Sequence, residues 1–327
     1  MPKQAEVPGI GPIAPGSGMK PLETGGRGRF RVGADGVRAI YLTGDEKVEL
    51  VAYAEHTLAY VRSALGHPAI YPLEPAAIEK PLEAVLMDLD GTSVRSEPFW
   101  VWIIQSTMAE LMGDPGFELE EADSPHVSGH SVSEHLQYCI SKYCPQRNVE
   151  EARRIYFRIT AREMKAILEG GGRADAFVPA PGLKEFLLEL KSRKIRIALV
   201  TSGLHEKAWP EVVAAFRTMG LGDPLKFYDA IVTAGSAIRP GQAGTLGELQ
   251  AKPHPWLYAE AARVGLGIPP ERRGRCIGLE DSGAGVVAIR LAGFAAVGIE
   301  GGNIRAAGVE SLLQAMKPSL PDVLELL

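Results

Sequence analysis

The sequence predicts an α/β protein, with a Rossmann-like parallel-sheet core, an inserted α-helical cap and an N-terminal extension. Three observations carry this prediction. Apolar, β-branched-rich runs at 84–87, 195–200 and 275–279 are too short for helices and read as buried strands. Each run ends in a polar motif containing Gly or Ser, as strands do where the chain leaves a sheet and turns. Between the first two runs lie longer apolar-periodic segments with Gly and Pro stops, which predict inserted helices.

Residues 1–35 are Pro/Gly-rich, as in Pro8-Gly9-Ile10-Gly11-Pro12 and Gly25-Gly26-Arg27-Gly28, and are expected to be a flexible tail. Residues 36–82 are expected to form an N-terminal extension, beginning with a strand at 37–42 that leads through Thr43-Gly44-Asp45-Glu46 into a helix. Val51, Ala54, Leu58, Val61 and Leu65 fall at spacings of three and four, giving that helix one apolar stripe. The stripe would pack on the core or against a second copy, so a homodimer through this helix is one expectation. Pro68, Pro72 and Pro75 predict an extended connector. The core is expected at 83–96 and 178–327, and the cap at 97–177 with helices at 99–112, 133–143 and 149–169. Gly170-Gly171-Gly172 ends the last of these, and Pro179-Ala180-Pro181-Gly182 returns the chain to the core.

The chemistry sits where the strands end. Asp88-Leu89-Asp90-Gly91-Thr92 follows the first core strand; alternation puts Asp88 and Asp90 on one face, and Gly91 lets the chain turn away. Paired carboxylates there suit a hard cation such as Mg2+ and a nucleophile that attacks phosphorus, although alone the motif reads equally well as a plain turn. Thr201-Ser202-Gly203 ends the second strand with a hydroxyl and backbone N–H groups suited to phosphate oxygens. Lys252-Pro253-His254-Pro255 presents a lysine on a loop. Glu280-Asp281-Ser282-Gly283 closes the third strand ahead of a small-residue helix at 284–292. In an open parallel sheet these ends converge on one crevice.

This ordered set resembles the haloacid dehalogenase superfamily across 82–327, and most of all its capped branch of sugar phosphatases, phosphoglycolate phosphatase and β-phosphoglucomutase. The resemblance implies Asp88 as the nucleophile that forms an aspartyl-phosphate, and Asp90 as the acid and then the base. It implies a phosphate site of Thr201, Ser202, Gly203 and Lys252. It also implies Mg2+ on Asp88, the Asp90 carbonyl and Asp281, with Glu280 as an adjacent or outer-shell ligand. The loop 127–131 looks like the cap segment that reaches over the substrate, making His130 and Ser131 specificity candidates; the alternative is that Ser131 or Ser133 simply caps the next helix. The sequence departs from the family pattern in three places. The Gly-rich stretch 234–251 lengthens the segment before Lys252, as an extra substrate loop or a bulge. Trp256 stands where the family often has an acid. Trp100 occupies the region where the mutase carries a catalytic histidine, which favours hydrolysis.

Composition agrees. The chain has 327 residues, 46% of them apolar, enough for two domains with a sizeable core. A net charge of −5 leaves no broad cationic footprint, so no nucleic-acid partner is expected. No apolar stretch approaches a membrane span, the amino terminus lacks signal-peptide features, and three cysteines fit reduced thiols; a cytoplasmic protein is expected. His126, His130, His135, Cys139 and Cys144 cluster in the cap, but their spacings do not match common zinc sites. The resulting expectation is a Mg2+-dependent phosphatase of a small phosphomonoester, of sugar phosphate or phosphoglycolate type. The alternatives are a β-phosphoglucomutase-like phosphomutase, a metal-free dehalogenase, a phosphonate hydrolase using Lys142 or Lys165, and a non-enzymatic binding module built on 37–82.

Overall fold

The segment Ala84–Asp88 buries all five of its residues, which requires a strand covered on both faces. In the computed structural model, which describes residues 6–13, 16–62, 68–127, 132–173, 175–234 and 251–327, it is the third strand of a six-stranded parallel sheet. The order across the sheet is Ala230–Ala234, Arg196–Leu204, Ala84–Asp88, Cys276–Glu280, Ala295–Ile299 and Leu313–Lys317. From the central strand the chain winds outward to 230–234, then returns to the other side of Ala84–Asp88 and winds outward again. The reversal falls between Ala84–Asp88 and Cys276–Glu280, where α/β sheets open a ligand crevice at the carboxyl ends of their strands. Register places Asp88 beside Val200 and Met87 beside Leu279, so Thr201 and Glu280 both begin where Asp88 ends.

The chain forms two compact units. The first comprises residues 1–93, 180–205 and 223–327. Its core packs Leu86, Ala198 and Val200 from the sheet with Leu257, Tyr258, Val286, Val287 and Ile289 from the following helices. The second comprises 94–179 and 206–222. Its helices Glu97–Met112, Val132–Tyr143 and Val149–Leu168 lie where apolar spacing and the Gly stops placed them. Inside it, buried Asp123 accepts from the Tyr138 hydroxyl at 2.7 Å, from Lys142 Nζ at 2.7 Å, from the Glu120 amide at 3.0 Å and from the Tyr143 hydroxyl. Burial alone would raise the Asp123 pKa, but these donors outweigh it and hold the carboxyl far below its usual range. No helix among the described residues is long and apolar enough to cross a membrane.

The N-terminal expectations require correction. The helix expected from Val51 onward does not form among the described residues, and Leu65 lies outside them. Strands Lys20–Leu22, Ala39–Leu42, Val48–Ala52, Thr57–Val61 and Ala69–Leu73 instead make a five-stranded antiparallel meander. Val51 and Leu58, read as two rungs of a helical stripe, sit opposite each other across a hairpin whose turn is closed by the Tyr53 amide on the His56 carbonyl at 2.9 Å. The strand content of the sequence explains the outcome: Val48, Val51, Thr57, Tyr60 and Val61 are residues that fit a pleated surface. Val48, Leu50, Ala52, Ala59 and Val61 face the main core, while Val51 faces a small outer cluster with Val37 and Ile40. With no helix, the proposed dimer seam loses its basis. Pro72 lies within the edge strand Ala69–Leu73, a place where a missing N–H is tolerated.

The described part of 1–35 is not a free tail either. Glu6–Val7 pairs with Gly11–Pro12, and Val7, Ile13 and Met19 are buried. Arg290, from the helix Gly283–Leu291, donates to the Gly9 carbonyl at 2.8 Å and the Glu74 carbonyl at 3.1 Å, tying the extension to the core.

Candidate active site

The strand ends assemble a buried charge cluster. Asp88, the last residue of the central strand, is only 5% exposed, and its main-chain carbonyl accepts from the Ser93 hydroxyl at 2.5 Å. Its carboxylate meets Lys252 Nζ at 2.5 Å, and the same Nζ lies 2.5 Å from Glu280 Oε1 and 3.3 Å from the Val200 carbonyl. All three ammonium protons therefore have acceptors. Glu280 is fully engaged as well. Its Oε1 also accepts from the Tyr258 hydroxyl at 2.9 Å, and its Oε2 accepts from the Ser282 amide at 3.0 Å and hydroxyl at 2.8 Å.

Asp281 sits alongside, accepting from the Thr92 hydroxyl at 3.3 Å. Carboxylate oxygens of Asp88, Glu280 and Asp281 lie within 4.8 Å of one another. Gly91, at φ +85°, brings the turn against this acid, and a Cβ there would collide with the Asp281 carboxylate. Across the rim, the Thr201 hydroxyl reaches Asp90 Oδ2 at 3.4 Å and accepts from the Gly203 amide at 2.9 Å. The Ser202 hydroxyl accepts from the Lys252 amide at 3.1 Å, joining the second strand end to the lysine loop.

Electrostatics follow from crowding. Burial, reinforced by Glu280, holds Asp88 well above the usual carboxylate range although Lys252 pulls the other way. Burial and Glu280 push Asp281 up to about 7 against the opposing effect of Lys252. Burial alone would lower Lys252, but Asp88 and Glu280 outweigh it and hold the ammonium above its ordinary value. Three acids with one internal cation leave an excess of negative charge, and an oxygen-only donor set is what a small divalent cation prefers. Because Lys252, Tyr258 and Ser282 already occupy Glu280, the free coordinating capacity lies on Asp88 and Asp281.

The eight sequence-selected residues Asp88, Asp90, Thr201, Ser202, Gly203, Lys252, Glu280 and Asp281 thus fall on one rim of the sheet. His130 and Ser131 lie outside the described residues, as does the stretch 235–250. Sequence reasoning passed over Thr92, Ser93, Tyr258 and Ser282, which hold the acids in place. Ser282 was legible as a hydroxyl two residues past a buried acid. Tyr258 was not, because it reaches Glu280 only through the fold of the helix Trp256–Glu260.

Residues 82–293 match the family model of the haloacid dehalogenase-like hydrolases. Among solved structures, CbbY from Rhodobacter sphaeroides in complex with phosphate is 22% identical, with a TM-score of 0.51 over 74% of this chain and 96% of that one. A predicted phosphoglycolate phosphatase from Haemophilus somnus is 19% identical, with a TM-score of 0.55 over 75% and 97%. A subfamily IA hydrolase of the same superfamily from Geobacter sulfurreducens is 18% identical, with a TM-score of 0.54 over 77% and 99%. At these identities the likeness is one of fold, while the family match spans more than half of the chain and begins just ahead of the central strand: the protein belongs to the haloacid dehalogenase-like hydrolases.

Proposed function

We propose that the protein is a Mg2+-dependent phosphatase of a small phosphomonoester, of sugar phosphate or phosphoglycolate type, working through an aspartyl-phosphate on Asp88. The observation that carries this reading is the buried Asp88 to Lys252 pair beside Asp281, with Asp90 and Thr201 on the same rim. Phosphoryl transfer asks mainly for positioning and charge neutralisation, and this rim offers a nucleophile, a cation and a hydroxyl in fixed relation. Asp88 attacks phosphorus, and the bond to the leaving oxygen breaks as Asp90 gives that oxygen a proton. Asp90 then takes a proton from the water that attacks the aspartyl-phosphate, which releases phosphate, frees the Asp88 carboxylate and leaves Asp90 protonated for the next turnover.

Lys252 and Thr201 hold the phosphoryl oxygens. Lys252 enters this role with three partners already, and the Val200 carbonyl, the longest of the three, is the one a phosphoryl oxygen would replace. Asp88, the Asp90 carbonyl and Asp281 would hold Mg2+, and Glu280 would stand adjacent to them, keeping Lys252 in place. When bound, the ion draws charge from the transferred group as a Lewis acid. His130, Ser131 and the 234–251 stretch stay the specificity candidates.

The test is a screen of sugar phosphates, phosphoglycolate, nucleotides and pyrophosphate with Mg2+, repeated with EDTA, with Ca2+ and with Asp88→Asn. Turnover should need Mg2+, fall with Ca2+ and vanish in Asp88→Asn, whose amide cannot attack phosphorus. Full activity in EDTA, or more than about a few per cent residual turnover in a clean Asp88→Asn preparation, would remove the proposal. Phosphoryl transfer to a sugar hydroxyl instead of water would point to the mutase.

A further inference from the structure

The segment that carries Lys252 has two sides. Toward the acids, Lys252 and Tyr258 both grip Glu280 Oε1, at 2.5 and 2.9 Å. Toward the N-terminal sheet, His254 Nδ1 and the Tyr71 hydroxyl share a hydrogen bond of 2.8 Å. The Tyr71 ring also meets the His254 ring edge-on at 5.8 Å and the Trp256 ring at 6.3 Å. Tyr71 lies mid-strand in Ala69–Leu73, its register fixed opposite Ala59. The strand belongs to the extension, outside the residues matched to the family.

We infer that Tyr71 is a positioning residue for Lys252, and that the N-terminal sheet is a brace for the lysine loop. The inference rests on the reading of Lys252 as the cation that holds the phosphoryl group. His254 is 5% exposed, and its Nε2 has no hydrogen-bond partner among the described residues. Tyr71 is therefore the one described group that satisfies this buried ring. Removing its hydroxyl leaves both ring nitrogens orphaned two residues from Lys252, and a buried polar group left without a partner drives local rearrangement. Trp256, which replaces the acid common at this place, is 43% exposed, and its ring meets that of Tyr71 in a T-shaped contact. Movement of the loop is transmitted directly, because the Lys252 amide is bonded to Ser202 while its Nζ is bonded to Asp88 and Glu280.

The experiment uses the full chain and compares wild type, Tyr71→Phe, Tyr71→Leu, Lys252→Ala and the double variant Tyr71→Phe/Lys252→Ala. It reads KM for the best ester, inhibition by inorganic phosphate, and the melting temperature. Tyr71→Phe should raise KM and the phosphate inhibition constant together by about 3- to 10-fold, with melting shifted by no more than about 2 °C, and Tyr71→Leu should do more. In the Lys252→Ala background, Tyr71→Phe should add nothing, because coupled residues are not additive. A purely structural role would instead reduce the active fraction and the melting temperature with KM and phosphate inhibition unchanged. That result, or unchanged KM in both Tyr71 variants while Lys252→Ala is impaired, overturns this inference alone. Unchanged phosphate affinity in Lys252→Ala overturns the phosphatase reading, and this inference with it.

Discussion

Replacing Lys252 by Met is the sharpest probe of the cluster. Met keeps most of the chain volume and removes the charge, leaving Asp88, Glu280 and Asp281 with oxygens within 4.8 Å of one another and no internal cation. Two contacts of 2.5 Å disappear from a side chain that is 6% exposed. Breaking a buried pair by removing one partner costs about 3–5 kcal/mol, because the remaining charge is stranded. The acids can escape part of that cost by taking up protons, so the cost is smallest in acid and grows as pH rises. In wild type the lysine's own linkage has the opposite sign but lies outside this range: its folded-state pKa is raised, so its contribution is intact throughout the neutral range and is lost only as pH rises into strong alkali.

The assay is thermal unfolding of both proteins across pH 5 to 8, with and without Mg2+. The gap between them should widen with pH. Mg2+ should stabilise the variant more than wild type, since a divalent cation replaces the missing charge. Activity should fall by about 10²–10³, the usual cost of losing one preorganised charge contact. Equal melting temperatures at pH 8, together with activity within about tenfold of wild type, would refute the argument that Lys252 balances the acids.

Three further outcomes follow from the geometry. Asp90→Asn should lose far more activity on an alkyl phosphate than on p-nitrophenyl phosphate, measured as burst kinetics, because only the poor leaving group needs a proton; equal losses would deny Asp90 the acid role. Gly91→Ala places a Cβ against Asp281 at a φ of +85°, so the Mg2+ concentration giving half-maximal activity should rise while the far-UV spectrum is kept. Asp123→Asn should destabilise the protein by about 1–3 kcal/mol at pH 7. The depressed carboxyl contributes stability above its unfolded pKa of about 4, so the gap to wild type should shrink as pH drops below that value, and a gap independent of pH would exclude the ionised form as the cause.

The core was legible because its strands are buried on both faces. Ala84 to Met87, Ile197 to Val200 and Cys276 to Leu279 are runs free of charged residues whose ends are marked by Asp, Gly and Ser. Nothing comparable marks the extension. There, a hairpin with apolar residues on both faces places Val51, Leu58 and Val61 at spacings that also suit one helical face, so periodicity could not separate the two. The separating signal was composition. Thr57, Tyr60 and Val61 are strand formers, and Ala69 to Leu73 contains a proline that belongs on a sheet edge.

In the candidate site, which residues gather at the strand ends was legible and how they pair was not. Glu280 and Asp281 are adjacent in sequence and look interchangeable as ligands, yet Glu280 is the last residue of its strand and Asp281 the first beyond it, so their side chains leave the chain in different directions. Glu280 therefore turns into the interior, where Lys252, Tyr258 and Ser282 saturate it, and Asp281 turns to the rim beside Thr92 and Gly91. The lysine loop is divided too, by its turn rather than by strand alternation: Lys252 meets the acids, and His254, two residues on, meets Tyr71. A strand and a loop each split their neighbouring residues between chemistry and support. The support half reaches partners far away in sequence, such as Tyr71, that no local motif could announce.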